Sequence, residues 1–294
     1  MHLLIESIGF GVASGAVLSL GAVGFTLQFG ISNLLNVTYG ALMSLGAFLG
    51  LFLLGHGLNI WLAMVLGGLM IGASSVAFSR GLISPLTRRG LRPFSLVIVS
   101  VSAGIVLEYL IVVVAGPATQ SYGNLSGATL RFWDFTLTSS QVIILVIAVA
   151  LMLGLHLLLT RTQLGRAMRA TSSNRTLAQS CGIATSRVSD LAWLISGTFC
   201  GMAGIALAIT TESFDFTLGS LFLIPMIAAA VLGGVGQPYG AMVGGLVVGI
   251  ATEVSAAYWS PAYESVIAFA ILILMLLVRP RGLFGSGSAR RLLA

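Results

Sequence analysis

Residues Thr138 to Thr160 read TSSQVIILVIAVALMLGLHLLLT, and the stretch after them, to Arg187, holds Arg161, Arg166, Arg169, Arg175 and Arg187. The first stretch contains no Asp, Glu, Lys or Arg. It is as long as a helix must be to cross the hydrocarbon core of a bilayer, about 20 residues. The second is a polar break whose charges are nearly all basic. Loop arginines beside apolar spans are retained on the cytoplasmic side. An apolar run closed by a basic break is the repeating unit of a polytopic helical membrane protein.

Working outward, the same unit recurs. Apolar segments lie at roughly 7–30, 39–55, 58–82, 93–115, 138–160, 187–210, 219–233, 238–256 and 262–279. They predict an all-α membrane bundle, a single domain over 1–294, with about nine spans and a range of eight to ten. Composition agrees: the chain is 57% hydrophobic and 7% charged, whereas soluble domains carry about 25% charged residues. All 14 basic residues are arginine. Without lysine there is no phosphate-binding P-loop, Schiff-base lysine or lysine general base. The net charge of +6 sits in short loops, so it reads as topology and not as a nucleic-acid surface. His2, His56 and His156 are scattered, and Cys181 and Cys200 lie in unlike surroundings, one in the Arg-rich stretch and one in an apolar run. No metal-ligand spacing, disulfide or catalytic cluster is expected. The first apolar run lacks a basic leader and cleavage site, so it is expected to be a span and not a signal peptide.

Three basic clusters set the expected topology. Arg88, Arg89 and Arg92 lie in 84–93, five arginines lie in 161–187, and Arg279, Arg281, Arg290 and Arg291 lie in the tail. The segment 116–137 has only Arg131 and Asp134. The first three are therefore expected in the cytoplasm and 116–137 outside, as a small cap, a hairpin or a loop anchored by Trp133. Nine crossings with a cytoplasmic C-terminus put the N-terminus outside.

Two stretches resemble each other. Gly21-Ala22-Val23-Gly24 followed by Asn36-Val37-Thr38-Tyr39-Gly40 is echoed by Gly201-Met202-Ala203-Gly204 followed by Asp215-Phe216-Thr217-Leu218-Gly219. The offsets are 180 and 179 residues, and the expected topology gives the copies opposite directions. That is the pattern of an inverted repeat with discontinuous helices around a central pathway; two ordinary helix starts are the plainer account. Polar backbone at membrane depth needs protein or water to satisfy it. Asn33, Asn36, Thr38, Tyr39 and Gly40 in one break, and Glu212, Asp215, Thr217 and Gly219 in the other, are candidate pathway residues. Glu108 and Glu253 interrupt apolar spans. A carboxylate at a span centre costs about 2.5–3.5 kcal/mol on insertion scales, so each needs a partner, a cavity or water. Either is a pathway candidate or a structural hydrogen-bond acceptor. Glycines four apart, such as Gly11/Gly15, Gly46/Gly50, Gly68/Gly72 and Gly245/Gly249, predict close helix packing.

The segment 161–186 is a candidate docking element. It lacks proline, and Leu164 and Met168 fall on one helical face. Such a ridge suits a cytoplasmic partner or, more plainly, a membrane surface. Thr162, Gly165-Arg166-Ala167, Arg169-Ala170, Asn174, Ala178 and Gly182-Ile183 stand here in order. So do Asn36 with Gly40, Leu232-Gly233-Gly234 with Gly236, Pro238, Gly240-Ala241 and Gly244-Gly245, and Arg279-Pro280 with Gly282-Leu283-Phe284-Gly285.

On these motifs the chain resembles the permeases of branched-chain amino acid ABC transporters (LivH type). The resemblance implies the pathway subunit of an importer in the bacterial plasma membrane, lying in membrane lipid. It implies two cytoplasmic ATP-binding subunits that hold ATP and Mg, an extracytoplasmic solute-binding protein and a second homologous permease. It assigns Leu164, Gly165, Arg166, Ala167, Met168, Arg169, Asn174 and Gly182 to ATPase docking, with Gly165→Glu expected to uncouple the partner without unfolding the bundle. Thr38-Tyr39 and Glu264 depart from the family's usual residues, so the solute stays open: branched-chain or other hydrophobic amino acids, amides or urea. A proton-coupled secondary transporter using Glu108 or Glu253, and a passive solute channel, are the rival readings.

Overall fold

The computed structural model describes residues 2–123, 129–132, 135–279 and 282–284. Trp133, Asp134, Pro280, Arg281, Gly285, Arg290 and Arg291, named above, lie outside them. Every apolar segment is helical. The long helices are α1 (His2–Ser32), α2 (Thr38–Gly55), α3 (Ile60–Phe78), α5 (Pro93–Ala115), α6 (Ser139–Arg161), α9 (Thr185–Thr210), α10 (Leu218–Gly233), α11 (Pro238–Tyr258) and α12 (Glu264–Val278). Most are apolar all round, as expected when both the neighbouring helices and the lipid are apolar. Among the described residues, eight helical stretches are long and apolar enough to cross a membrane, and α10, with 16 residues, is shorter.

Three segments differ from simple loops. The helix of α3 runs on through a π turn, Ser79–Ile83, into α4 (Ser84–Arg88). Pro85 lacks an N–H and its ring crowds the carbonyl four residues earlier, which a widened turn relieves. The 116–137 segment contains a hairpin, β1 (Thr129–Phe132) paired antiparallel with β2 (Phe135–Thr138), Thr129 opposite Thr138. The 161–186 segment forms two short helices, α7 (Gln163–Ser173) and α8 (Arg175–Ser180).

The core is the crossing of α1 and α9, which bury most of their length, while α5, α6 and α12 leave most of theirs exposed. Gly21 faces Ala203, Gly24 faces Phe199, and Gln28 meets Ser196. Residue numbers rise on one helix as they fall on the other, so the pair is antiparallel. Each is clasped by a further antiparallel helix. Gly11 and Gly15 of α1 lie against Ile250 and Leu246 of α11, and Ser19 Oγ donates to the Met242 carbonyl at 2.8 Å. Gly68 and Gly72 of α3 lie against Met202 and Leu194 of α9. Exchanging α1, α2, α3 and α5 for α9, α10, α11 and α12 maps these packings onto each other: α1 on α11 becomes α9 on α3, and α2 on α5 becomes α10 on α12. With α1 and α9 antiparallel, this is the arrangement of an inverted repeat.

The matched glycines of the two copies touch. A methyl group on Gly40 would come within 2.9 Å of the Gly219 carbonyl oxygen, and one on Gly219 would strike the Gly40 carbonyl. In lipid there is little hydrophobic gain from pressing helices together, so close backbone packing supplies the attraction. Gly219→Val should therefore overpack the crossing, cost about 1–3 kcal/mol and lower the unfolding temperature in detergent. Gly154→Ala is the control, since a methyl group there meets nothing within 4 Å. Equal unfolding temperatures for the two variants would contradict the close crossing.

Candidate functional site

Both polar breaks are places where a helix stops and the chain turns back into the bundle. After α1, Asn33 takes φ +50° and donates its N–H to the Phe29 carbonyl at 2.8 Å. Asparagine tolerates that left-handed turn better than most residues. Five residues later α2 begins. After α9, Glu212 takes φ +59°, and residues 211–217 lead into α10. The N-termini of α2 and α10 thus enter from opposite ends and meet at Gly40 and Gly219.

Each start is held by side chains. The Thr38 hydroxyl donates to the Ser100 carbonyl at 2.6 Å, and the Val37 N–H donates to Ser100 Oγ at 3.1 Å. Asp215 Oδ1 accepts from the Thr217 N–H at 2.9 Å and the Thr217 hydroxyl at 2.7 Å. The Gly219 N–H donates to Ser44 Oγ at 2.9 Å. The Ser220 hydroxyl donates to Glu108 Oε1. Helix starts expose unpaired N–H groups and the positive end of the helix dipole. Two such ends brought together repel, and Asp215 and Glu108 place carboxylates beside the α10 start to offset this. One face of α5 serves both starts: Ser100 and Gly104 touch the α2 start and Glu108 the α10 start. Those three are spaced by four, one helical face. Gly104 is the midpoint of the 23-residue α5, so the meeting point lies deep in the span.

The candidate residues separate into four places. Asn36, Thr38, Gly40, Asp215, Thr217, Gly219 and Glu108 gather around the two starts. Asn36 is 1% exposed, and among the described residues neither its side-chain amide nitrogen nor its amide oxygen has a hydrogen-bond partner. Tyr39, 1% exposed, belongs to the core: its hydroxyl lies 3.2 Å from the Gly21 and Ser196 carbonyls and its ring packs edge-on to Phe25. Asn33 is exposed at the corner after α1. Glu253 lies elsewhere. It accepts from Ser14 at 2.5 Å, and Ser14 is roughly 10 Å along α1 from Gly21. Ser44, Ser100 and Ser220 complete the site and were not singled out from the sequence; the four-residue spacing of Ser100, Gly104 and Glu108 was the available signal.

Above the α9–α10 break, the Gln120 and Phe214 backbones exchange hydrogen bonds at 2.8 and 2.9 Å. The Tyr122 ring packs on Phe214, and its hydroxyl donates to the Ala47 carbonyl at 2.6 Å. Burial pushes that phenol above its ordinary range.

At the opposite end, α7 turns its ridge inward. Met168 is 2% exposed and Leu164 packs on the core. Gly165 abuts the Leu158 and Leu159 backbone, its N–H caps on Thr162 Oγ1 at 3.1 Å, and Arg169 donates to the Leu159 carbonyl. The ridge expected to meet a partner is thus the anchor of α7, because three apolar or small positions on an 11-residue helix bury together. Gly165→Glu has no space, so it dislodges α7 instead of leaving it in place. Ala167 is partly buried. Asn174 Oδ1 caps α8 through the Leu177 N–H at 3.0 Å, and Gly182 ends it with φ +83°. The outer surface presents Arg166, Arg175 and Leu177, the last 61% exposed. On the same end, Arg80 pairs with Asp190 at 2.7 Å, tying the end of α3 to α9.

Comparison with known proteins agrees with this architecture. The family model described as "Branched-chain amino acid transport system / permease component" matches residues 7–276. The high-affinity branched-chain amino acid transport system permease protein LivH of Escherichia coli K12 is 29% identical, over 94% of this chain and 93% of its own length. Permease protein LivM of the same organism is 27% identical, over 89% of this chain and 66% of its own. A chain of PsaBC from Streptococcus pneumoniae, solved in complex with Fab, shares the fold with a TM-score of 0.54 and 14% identity, over 96% of this chain and 93% of that one.

Removing an unpartnered buried amide relieves a desolvation cost, whereas removing a bonded hydroxyl costs about 0.5–1.5 kcal/mol. Asn36→Ala should therefore unfold at or near the wild-type temperature, and Tyr39→Phe should unfold measurably lower. The reverse order would show that Asn36 is the structural residue of the two.

Proposed function

The chain belongs to the family of permease components of branched-chain amino acid transport systems, and on that footing we propose that it is the membrane-spanning subunit of a binding-protein-dependent importer for branched-chain or related hydrophobic amino acids. The observation that carries this is the meeting of two oppositely inserted helix starts deep in the bundle, beside a buried and unpartnered Asn36. A scaffold helix has no use for such an amide; a moving solute does. Asn36, Thr38, Asp215, Thr217 and the Gly40–Gly219 backbone line the route, and Tyr39 holds its wall.

The arginine-rich end, with 84–93, α7, α8 and the tail, faces the cytoplasm, and the hairpin end faces outward. The N-terminus is outside on this assignment. A pair of ATP-binding subunits hydrolyses ATP with Mg and presses on the outer surface of α7 and α8. The anchored α7 passes that push into α6 and α9. Because the two halves are inverted copies, a rocking of one against the other opens one end as it closes the other. A solute-binding protein delivers cargo to the hairpin end. Likeness to both LivH and LivM supports pairing with a second, homologous permease, which covers the open face of α5.

Proteoliposomes holding the assembled transporter should take up L-leucine only with ATP and binding protein. Leu177→Asp should abolish uptake and loosen the ATP-binding subunits while leaving the bundle folded, since Leu177 is exposed. Uptake by this chain alone without ATP would overturn the importer reading. Normal uptake by Leu177→Asp would remove α8 from the docking surface. Asn36→Ala, stable as argued above, should transport poorly.

A further inference from the structure

We infer that Glu108 binds the ammonium group of the amino-acid solute on the route, a reading that rests on the import function proposed above. Glu108 lies seven residues before the end of α5, about 10 Å into the span. Among the described residues its carboxylate takes one hydrogen bond, from Ser220, the third residue of α10. An ionised carboxylate can accept about four, and among the described residues no basic side chain pairs with it. It is only partly buried. Its neighbours Ile105, Tyr109 and Leu221 are 49%, 63% and 70% exposed. The carboxylate therefore opens onto the outer face of the chain at membrane depth.

Facing acyl chains there, an under-bonded carboxylate would be costly. Facing a water-filled route between this chain and its partner permease, it is a fixed negative point with acceptor capacity to spare. A primary ammonium brings three donors and the opposite charge. The apolar side chains of Ile105 and Leu221 beside it suit an aliphatic side chain on the same solute. The rival role is a cap that offsets the positive start of α10 through Ser220.

The two roles part on substitution. Glutamine at 108 still accepts the Ser220 hydroxyl, so a cap survives, but the charge is gone. In proteoliposomes holding the assembled transporter with ATP and binding protein, Glu108→Gln should lower initial L-leucine uptake by about tenfold or more, the scale of a charge-assisted hydrogen bond, while Ser220→Ala, which removes the hydroxyl but leaves the charge, and Glu108→Asp, which keeps the charge, should each lose markedly less than Glu108→Gln. The Glu108→Gln complex should assemble normally. Wild-type uptake by Glu108→Gln overturns the inference and leaves the import function standing. So does a Ser220→Ala loss as large as that of Glu108→Gln, or failure of Glu108→Gln to assemble, since either makes Glu108 structural. No ATP-driven leucine uptake by wild type overturns the import function, and this inference with it.

Discussion

The fold depends on close approach between backbones. Gly40 and Gly219 touch where two helices begin, and neither has room for a side chain. Around that point, α1 and α9 cross on Gly21 and Gly24, and α11 and α3 grip them through further glycines. Lipid offers helices little hydrophobic reason to associate. Small residues let the helices come near enough for dispersion and short hydrogen bonds, such as Ser19 to Met242, to hold them. The glycine content of the chain is thus the attractive term of its packing, and it is concentrated on the helices that the repeat duplicates.

The same crossing creates the functional opportunity. Breaking a helix inside a membrane leaves polar backbone that must be satisfied. Ser44, Ser100 and Asp215 satisfy most of it. What remains, among the described residues, is a buried Asn36 side chain without partners and a Glu108 with one. A bundle built only for stability would replace both with apolar side chains. Their persistence beside two helix starts, at the axis that relates the two halves, is what links architecture to transport.

Much of this was legible in the sequence. The apolar runs located the helices, and the Asn/Asp-x-Thr-x-Gly echo located both breaks, because polar residues at membrane depth are too costly to be incidental. Four things were not legible. The Leu164–Met168 ridge looked like a surface for a partner, yet periodicity shows only that residues share a face, not which way the face turns. Tyr39 looked like part of a polar lining, but its hydroxyl is held by Gly21 and Ser196, residues far away in sequence. Glu253 resembled Glu108 as a lone carboxylate within a span. The helix pairing that gives it Ser14 is a tertiary fact. Residues 84–88, expected in a loop, continue a helix because Pro85 is absorbed by a π turn.

The central claim is that the crossing of the two helix starts lies on a route that opens to alternate sides. Labelling of a single cysteine tests it most directly. In a Cys181→Ser background, with Cys200 buried and out of reach, Ser220→Cys would be exposed to a membrane-impermeant thiol reagent from either side of the assembled transporter. The account predicts labelling from one side without nucleotide and from the other side, or not at all, with ATP trapped. Labelling from neither side in both states would contradict it.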